Sequence, residues 1–245
     1  LYLSGSFLEH KDMVNRVAWI VLLTISLFGG APTAFAQTDA AESRIVREEI
    51  EWLDVWVPGN SNKTLPKVLL IGDSITRGYY GGVESALKGK AVVARLTTSK
   101  SLGDPGFLAE VNLIISQTKY DVVHFNNGLH GWGYSEKDYE AAFPDLIAVI
   151  KKGAPGAKMI WATTTPMRVP GKVDYQPNTE RVKARNAIAK TITDKKNIPT
   201  DDLFEFLSDK PELWSGDGVH LNGQGNSALG KKVAEVIEPL LSGAK

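Results

Sequence analysis

"KVLLIGDSITRGYY", residues 67–80, decides how the rest of the chain is read. Val68, Leu69, Leu70 and Ile71 form an apolar run without alternating polar residues, and Gly72 ends it. Such a run fits a strand buried on both faces, as in the middle of a parallel sheet. In open α/β folds, ligands bind beyond the carboxyl ends of these strands. Asp73 and Ser74 stand at that position. Either they face a site, or one of them caps the helix that follows.

Working outward, further strands are expected over residues 91–96, 121–127, 158–165 and, more weakly, 198–204. Helical patterns separate them. Asp104-Pro105 reads as an N-cap with proline at the first helical position. Ser135 and Asp138 have the spacing of a capping box. Leu229, Val233, Val236, Ile237, Leu240 and Leu241 recur at helical spacing, and Asn222 is placed to cap that last helix. Strands alternating with helices predict a parallel sheet covered on both faces, a three-layer α/β/α sandwich. The expected arrangement is flavodoxin-like: five parallel strands in the order 2-1-3-4-5, counted along the chain. That order sets the turn after the first strand against residues 126–132, "NNGLHGW", after the third.

The 245 residues carry 28 Lys and Arg against 28 Asp and Glu, a formal net charge of zero, and no cysteine. The length suits one domain with extensions. A neutral chain without a basic block argues against a nucleic-acid partner. Lack of cysteine excludes disulfides, thiolate metal sites and cysteine nucleophiles. Residues 1–12 precede Met13 and read as upstream sequence. Lys11 and Arg16 flank Met13, the run 17–28 is almost wholly apolar, and Ala34-Phe35-Ala36 follows. This is the pattern of an export signal cleaved after Ala36, giving a periplasmic or secreted protein. The run is short for a membrane span, which needs about 20 residues, so no stable span is expected after cleavage. Residues 37–65 read as a lead-in with a helix around 42–53, and 66–245 as the main domain.

A serine becomes a nucleophile when a histidine takes its proton and a third group orients that histidine. Of the four histidines, His10 lies in the leader and His124 inside a strand, where a structural role is expected. His220 lies in "SGDGVHLNGQG", residues 215–225, three residues after Asp217. A compact turn at that spacing lets the carboxylate hold one imidazole nitrogen while the other points outward.

"GDSI" after the first strand and "DGVH" before the last helix resemble the first and last blocks of the SGNH, or GDSL, hydrolases. The resemblance covers about residues 66–243. It implies Ser74 as nucleophile, with Asp217 and His220 completing a triad, and no cofactor. It also implies an oxyanion hole built from the Ser74 amide, a glycine amide, here Gly103, and an asparagine side chain. In the matching register Gly128-Leu129-His130-Gly131, histidine replaces that asparagine. The donor is then a ring N–H of His130, expected as a neutral imidazole, or it has moved to Asn127 or Asn126. Asp73 is expected to hydrogen-bond the loops around the site.

Trp132, Tyr134 and Trp214 lie near these loops, where flat rings could stack on a sugar or simply pack beneath them. Arg168 could meet an acidic substrate or form a salt bridge. The expected activity is ester hydrolysis through an acyl-enzyme, with O-acetyl groups on a small molecule or polysaccharide as the favoured substrate. Lipid or thioester hydrolysis and acyl transfer stay open. A metal-dependent phosphoesterase would use Asp73, Asp217, His220 and His130, but this set lacks the additional ligands of a two-metal site. No metal is assigned. A non-catalytic glycan-binding protein is disfavoured by the complete Ser, Asp and His set.

Overall fold

The computed structural model describes residues 45–241. The export signal and its cleavage site lie outside the described residues, as does the start of the lead-in.

The sheet has six strands: β1 (Leu53–Trp56), β2 (Lys67–Gly72), β3 (Val92–Thr98), β4 (Val122–Phe125), β5 (Lys158–Ala162) and β6 (Thr200–Asp201). Their spatial order is β1-β3-β2-β4-β5-β6. The five strands from β2 to β6 are parallel and follow the order the sequence implies. The sixth, β1, was not expected. It adds an antiparallel edge, pairing Leu53 with Thr98 and Trp56 with Arg95.

The helix expected around residues 42–53 is not present over 45–52. Tertiary partners override its weak local pattern. The carbonyl of Trp52 accepts from the Ser99 amide, and Arg95 pairs with Asp54 at 2.8 Å across the two strands. Pro58 and Gly59, the latter at φ 64°, then turn the chain out of the edge.

β2 is central. Val68, Leu69, Leu70 and Ile71 have no exposed surface. Val68 and Leu70 enter one core, Leu69 and Ile71 the other, as the two-residue period of a strand requires. The first core is closed by α1 (Ser74–Ala86) and α6 (Gly223–Leu241), the second mainly by α2 (Pro105–Ile115) and α3 (Glu136–Gly153). The helix α4 (Asn178–Lys195) packs beside α3, and the short α5 (Leu203–Ser208) follows β6. The expected caps form: Asp104 accepts from the Gly106 amide, Ser135 and Asp138 make a reciprocal capping box, and Asn222 accepts from the Gly225 amide.

One contact matters most for the site. A Cβ on Gly82 would lie 3.1 Å from the Cα of Gly230, so α1 and α6 touch backbone to backbone. One turn earlier on each helix, Gly78 makes room for the Asn226 side chain, whose Oδ1 would lie 2.5 Å from a Cβ there. Both pairs advance by four residues, so the helices run parallel in one register. One turn earlier, that register sets Ser74 opposite Asn222. The N-termini of α1 and α6 therefore open side by side at the carboxyl edge of the sheet.

His124 on β4 is structural, as expected. Its Nε2 lies 3.1 Å from Asp201 on β6, and Asp201 also receives Lys232 of α6 at 2.6 Å. Burial works against ionised Asp201, but hydrogen bonds and charge from His124 and Lys232 hold its pKa below the usual carboxylate value.

Candidate active site

Ser74 opens α1 because Asp73 stops the strand and caps the helix. Asp73 is extended and buried, and its Oδ1 accepts from the Ile75 amide at 2.9 Å. So the capping reading holds for Asp73, while Ser74 stays free to face outward. Gly72 is required at the turn, since a Cβ there would collide with the Thr76 side chain. The Ser74 amide has no hydrogen-bond acceptor among the described residues, as befits the first turn of a helix.

The loop before α6 brings the partners. Ser74 Oγ lies 2.8 Å from His220 Nε2, and His220 Nδ1 lies 2.7 Å from Asp217 Oδ2. The other carboxylate oxygen, Oδ1, accepts from Ser215 Oγ at 2.7 Å and from the Val219 and His220 amides at 2.9 Å each. Burial alone would raise the Asp217 pKa. The donors on its two oxygens, His220 foremost, outweigh that and hold it well below the usual carboxylate range. An ionised Asp217 fixes the proton of a neutral His220 on Nδ1, leaving Nε2 as acceptor for the serine hydroxyl.

The loop is rigidly seated. Ser215 N donates to the His220 carbonyl, and Arg168 N donates to the Gly218 carbonyl at 2.7 Å. Gly218 sits at φ 73°, and a Cβ there would strike the Arg168 carbonyl. Arg168 does not face solvent, and among the described residues it pairs with no carboxylate. It is buried, with its guanidinium donating to the carbonyls of Val173 and Ser208.

Ser74 and His220 line a cavity of about 350 Å³ together with Glu48, His130, Trp132 and Met167. The loop 128–131 is held there by buried Arg185, whose guanidinium donates to the carbonyls of Gly128, His130 and Gly131. Glu48, from the lead-in, was missed by sequence reasoning. Its carboxylate oxygens lie 2.9 and 3.0 Å from His130 Nδ1. A carboxylate only accepts, so Nδ1 carries a proton. In a neutral ring Nε2 would then be an acceptor. The one N–H of a neutral His130 is thus spent on Glu48 and is not free for an oxyanion.

Of the other oxyanion candidates, the two asparagine side chains are tied to neighbouring loops. Both N–H bonds of Asn126 are used, toward the Ala162 carbonyl and Thr164 Oγ1. Asn127 ties two loops together, accepting from the Leu102 amide and donating to the Lys100 carbonyl. Gly103 lies under the ring of Tyr134, where any Cβ would clash. It lines a neighbouring cavity without Ser74.

Two of the three aromatic candidates are not rim residues. Tyr134 is buried on Gly103, and its hydroxyl accepts from the Val46 amide at 2.7 Å. Trp214 is buried beneath the Arg168 guanidinium. Trp132 does line the Ser74 cavity, with the guanidinium groups of Arg181 and Arg185 stacked on its ring. No group of three or more His, Asp or Glu among the described residues is arranged to hold a metal ion. Among those residues no helix is long and apolar enough to cross a membrane.

Comparison with known proteins gives the same picture. No curated protein matches the chain. Among solved structures, a lipase/acylhydrolase from Enterococcus faecalis is similar with a TM-score of 0.59 at 20% identity, covering 74% of this chain and 100% of the other. A carbohydrate acetylesterase from Sinorhizobium meliloti is similar with a TM-score of 0.54 at 15% identity, over 71% and 99%. The catalytic domain of a peptidoglycan O-acetyltransferase from Streptococcus pneumoniae gives 0.51 at 21% identity, over 72% and 94%. At these identities the likeness shows the fold. The model of the GDSL-like lipase/acylhydrolase family matches residues 70–228. The chain belongs to the GDSL-like lipase/acylhydrolase family and is a serine hydrolase of the esterase type.

Proposed function

We propose that the protein is an exported esterase that removes O-acetyl groups from carbohydrate, with Ser74, His220 and Asp217 as its triad. The observation that carries the chemistry is His220 bridging Ser74 and Asp217 at hydrogen-bond distance on both sides. Ser74 Oγ attacks the acetyl carbonyl carbon while its proton passes to His220 Nε2. The C–O bond to the sugar then breaks, and His220 returns that proton to the leaving hydroxyl. Water repeats the sequence with His220 as base, releasing acetate and free Ser74. The Ser74 amide is placed to donate to the carbonyl oxygen as it gains charge.

The substrate class rests on the cavity. At about 350 Å³ the cavity is small for a long chain, and its lining mixes Glu48, His130 and His220 with apolar Leu129, Met167 and Val219, which suits a short acyl group with both polar and apolar contacts. The carbohydrate acetylesterase and the peptidoglycan O-acetyltransferase domain among the similar structures support an acetyl group on a sugar. On p-nitrophenyl acetate, butyrate and palmitate, kcat/KM should fall as the chain lengthens, and acetate should be released from at least one acetylated polysaccharide among xylan, pectin and rhamnogalacturonan. A rate that climbs with chain length, with no acetate from any polysaccharide, would move the substrate to lipids or thioesters and leave the triad in place.

Export is supported by the charged flank, the short apolar run and Ala34-Phe35-Ala36. Protein recovered outside the cytoplasm should begin at Gln37 by N-terminal sequencing. Uncleaved chain retained in the cytoplasmic membrane would overturn the processing.

A further inference from the structure

Two cavities meet at one residue of the lead-in. Val46 and Gly133 line both the Ser74 cavity and a neighbouring one of about 450 Å³. The contact between these two residues is tight. A Cβ on Gly133 would lie 2.4 Å from Cγ1 of Val46, so the valine side chain rests on bare glycine backbone. The surrounding bonds hold it there. Val46 N donates to Tyr134 Oη at 2.7 Å, Arg47 pairs with Asp104 at 2.8 Å, Glu48 lies 2.9 Å from His130, and Glu51 accepts from Ser99 Oγ at 2.9 Å. Val46 also lies outside residues 70–228, the part that the family model matches. The partition is thus supplied from outside the family's matched core.

The two cavities differ in what they can hold. Beyond Val46 the wall is mainly apolar, made by Leu102, the Tyr134 ring, Ala141 and Ala142. Of its two carboxylates, Asp138 accepts from Ser135 and Asp145 stands at an exposed position. The topology decides which end of an ester faces this wall. His220 must reach the leaving oxygen to return the proton. Its loop precedes α6, which with α1 covers one face of the sheet. The neighbouring cavity is built from residues that precede or belong to α2 and α3, on the other face. The leaving group therefore takes the His220 side, and the acyl group takes the side of Val46. We propose that Val46 sets the acyl length this enzyme accepts, by closing the acyl end of the Ser74 cavity against Gly133. A smaller side chain at position 46 joins the two cavities and admits a medium-length acyl chain. Val46 touches the end of the acyl group and takes no part in the bond changes.

Acyl selection by Val46 deepens the esterase reading and rests on it, and the experiment separates the two. On p-nitrophenyl acetate and octanoate, the ratio of kcat/KM for octanoate to that for acetate should rise about tenfold in Val46→Ala, roughly what burying two more methylene groups gives. It should rise further in Val46→Gly. Both variants keep the backbone bond from position 46 to Tyr134, so their urea midpoints should stay near that of the parent. Ala141 is exposed and lines the neighbouring cavity but not that of Ser74. Ala141→Phe in the Val46→Gly background fills the joined space and should return the ratio toward the parental value. An unchanged ratio in both Val46 variants, with acetate still turned over, would overturn the partition and leave the esterase standing. So would a gain that survives Ala141→Phe, because the chain would then run elsewhere. No turnover of either ester by parent or variants, with Ser74 unlabelled by a fluorophosphonate probe, would strike the esterase reading and acyl selection with it.

Discussion

Replacing Ser74 with alanine is expected to lower kcat by about 10⁴-fold or more, with KM little changed. The proposed triad works as one unit, so removing the nucleophile leaves His220 and Asp217 with nothing to activate, and only binding and oxyanion stabilisation remain. The substitution should not disturb the fold. Asp73, not Ser74, caps α1, and the capping bond to the Ile75 amide is untouched. The urea midpoint of the variant should therefore match the parent, and a lost rate cannot be laid to unfolding. A fluorophosphonate probe should form its adduct on the Ser74 peptide and on no other. Labelling at a different serine, or a Ser74→Ala enzyme within tenfold of the parent, would remove Ser74 as nucleophile.

The features that could be read from the sequence are those set by neighbours along the chain. The apolar run of β2, the caps at Asp104, Ser135 and Asn222, and the Asp217–His220 turn each involve residues within a few positions of one another. Their chemistry is local, and the structure keeps them. What was hidden depends on partners far away. β1 is four residues long and exists as a strand because β3 offers an open edge and Arg95 a partner for Asp54. Glu48 meets His130 across 82 positions, in a segment whose own pattern suggested a helix. Trp214 and Tyr134 show the converse case. Rings near catalytic loops could form a sugar platform or pack beneath the loops, and packing under Arg168 and against Gly103, where no Cβ stands in the way, took these two inside. A single sequence marks a residue's chemistry. It does not mark which long-range partner will consume it.

The second large effect is expected at Asp217. Asp217→Asn should cut kcat by about 10⁴-fold, on the order of the loss when a triad carboxylate becomes an amide. The loop dictates why. Oδ1 of Asp217 is fixed by three donors: the Ser215 hydroxyl and the amides of Val219 and His220. Asparagine will keep its oxygen there, because the reverse orientation would set its NH₂ against two N–H groups and a hydroxyl. Its NH₂ then faces His220 Nδ1. That nitrogen becomes an acceptor, the ring proton moves to Nε2, and Nε2 can no longer take the proton of Ser74. Acid alone does not produce this state under assay conditions. The hydrogen bonds on Asp217 outweigh burial and depress its pKa, so the carboxylate stays ionised well below the range in which a free aspartate titrates. The same sign governs stability. A depressed folded-state pKa contributes stability that is full above about pH 4, the unfolded value, and is lost as pH falls through the folded value. Asp217→Asn removes that contribution, so its stability should change less on acidification than that of the parent. The decisive measurements are kcat and the rate of fluorophosphonate labelling at neutral pH, both of which should drop together. An Asp217→Asn enzyme that labels at the parental rate would mean that another group orients His220, and the 2.7 Å contact would then be structural.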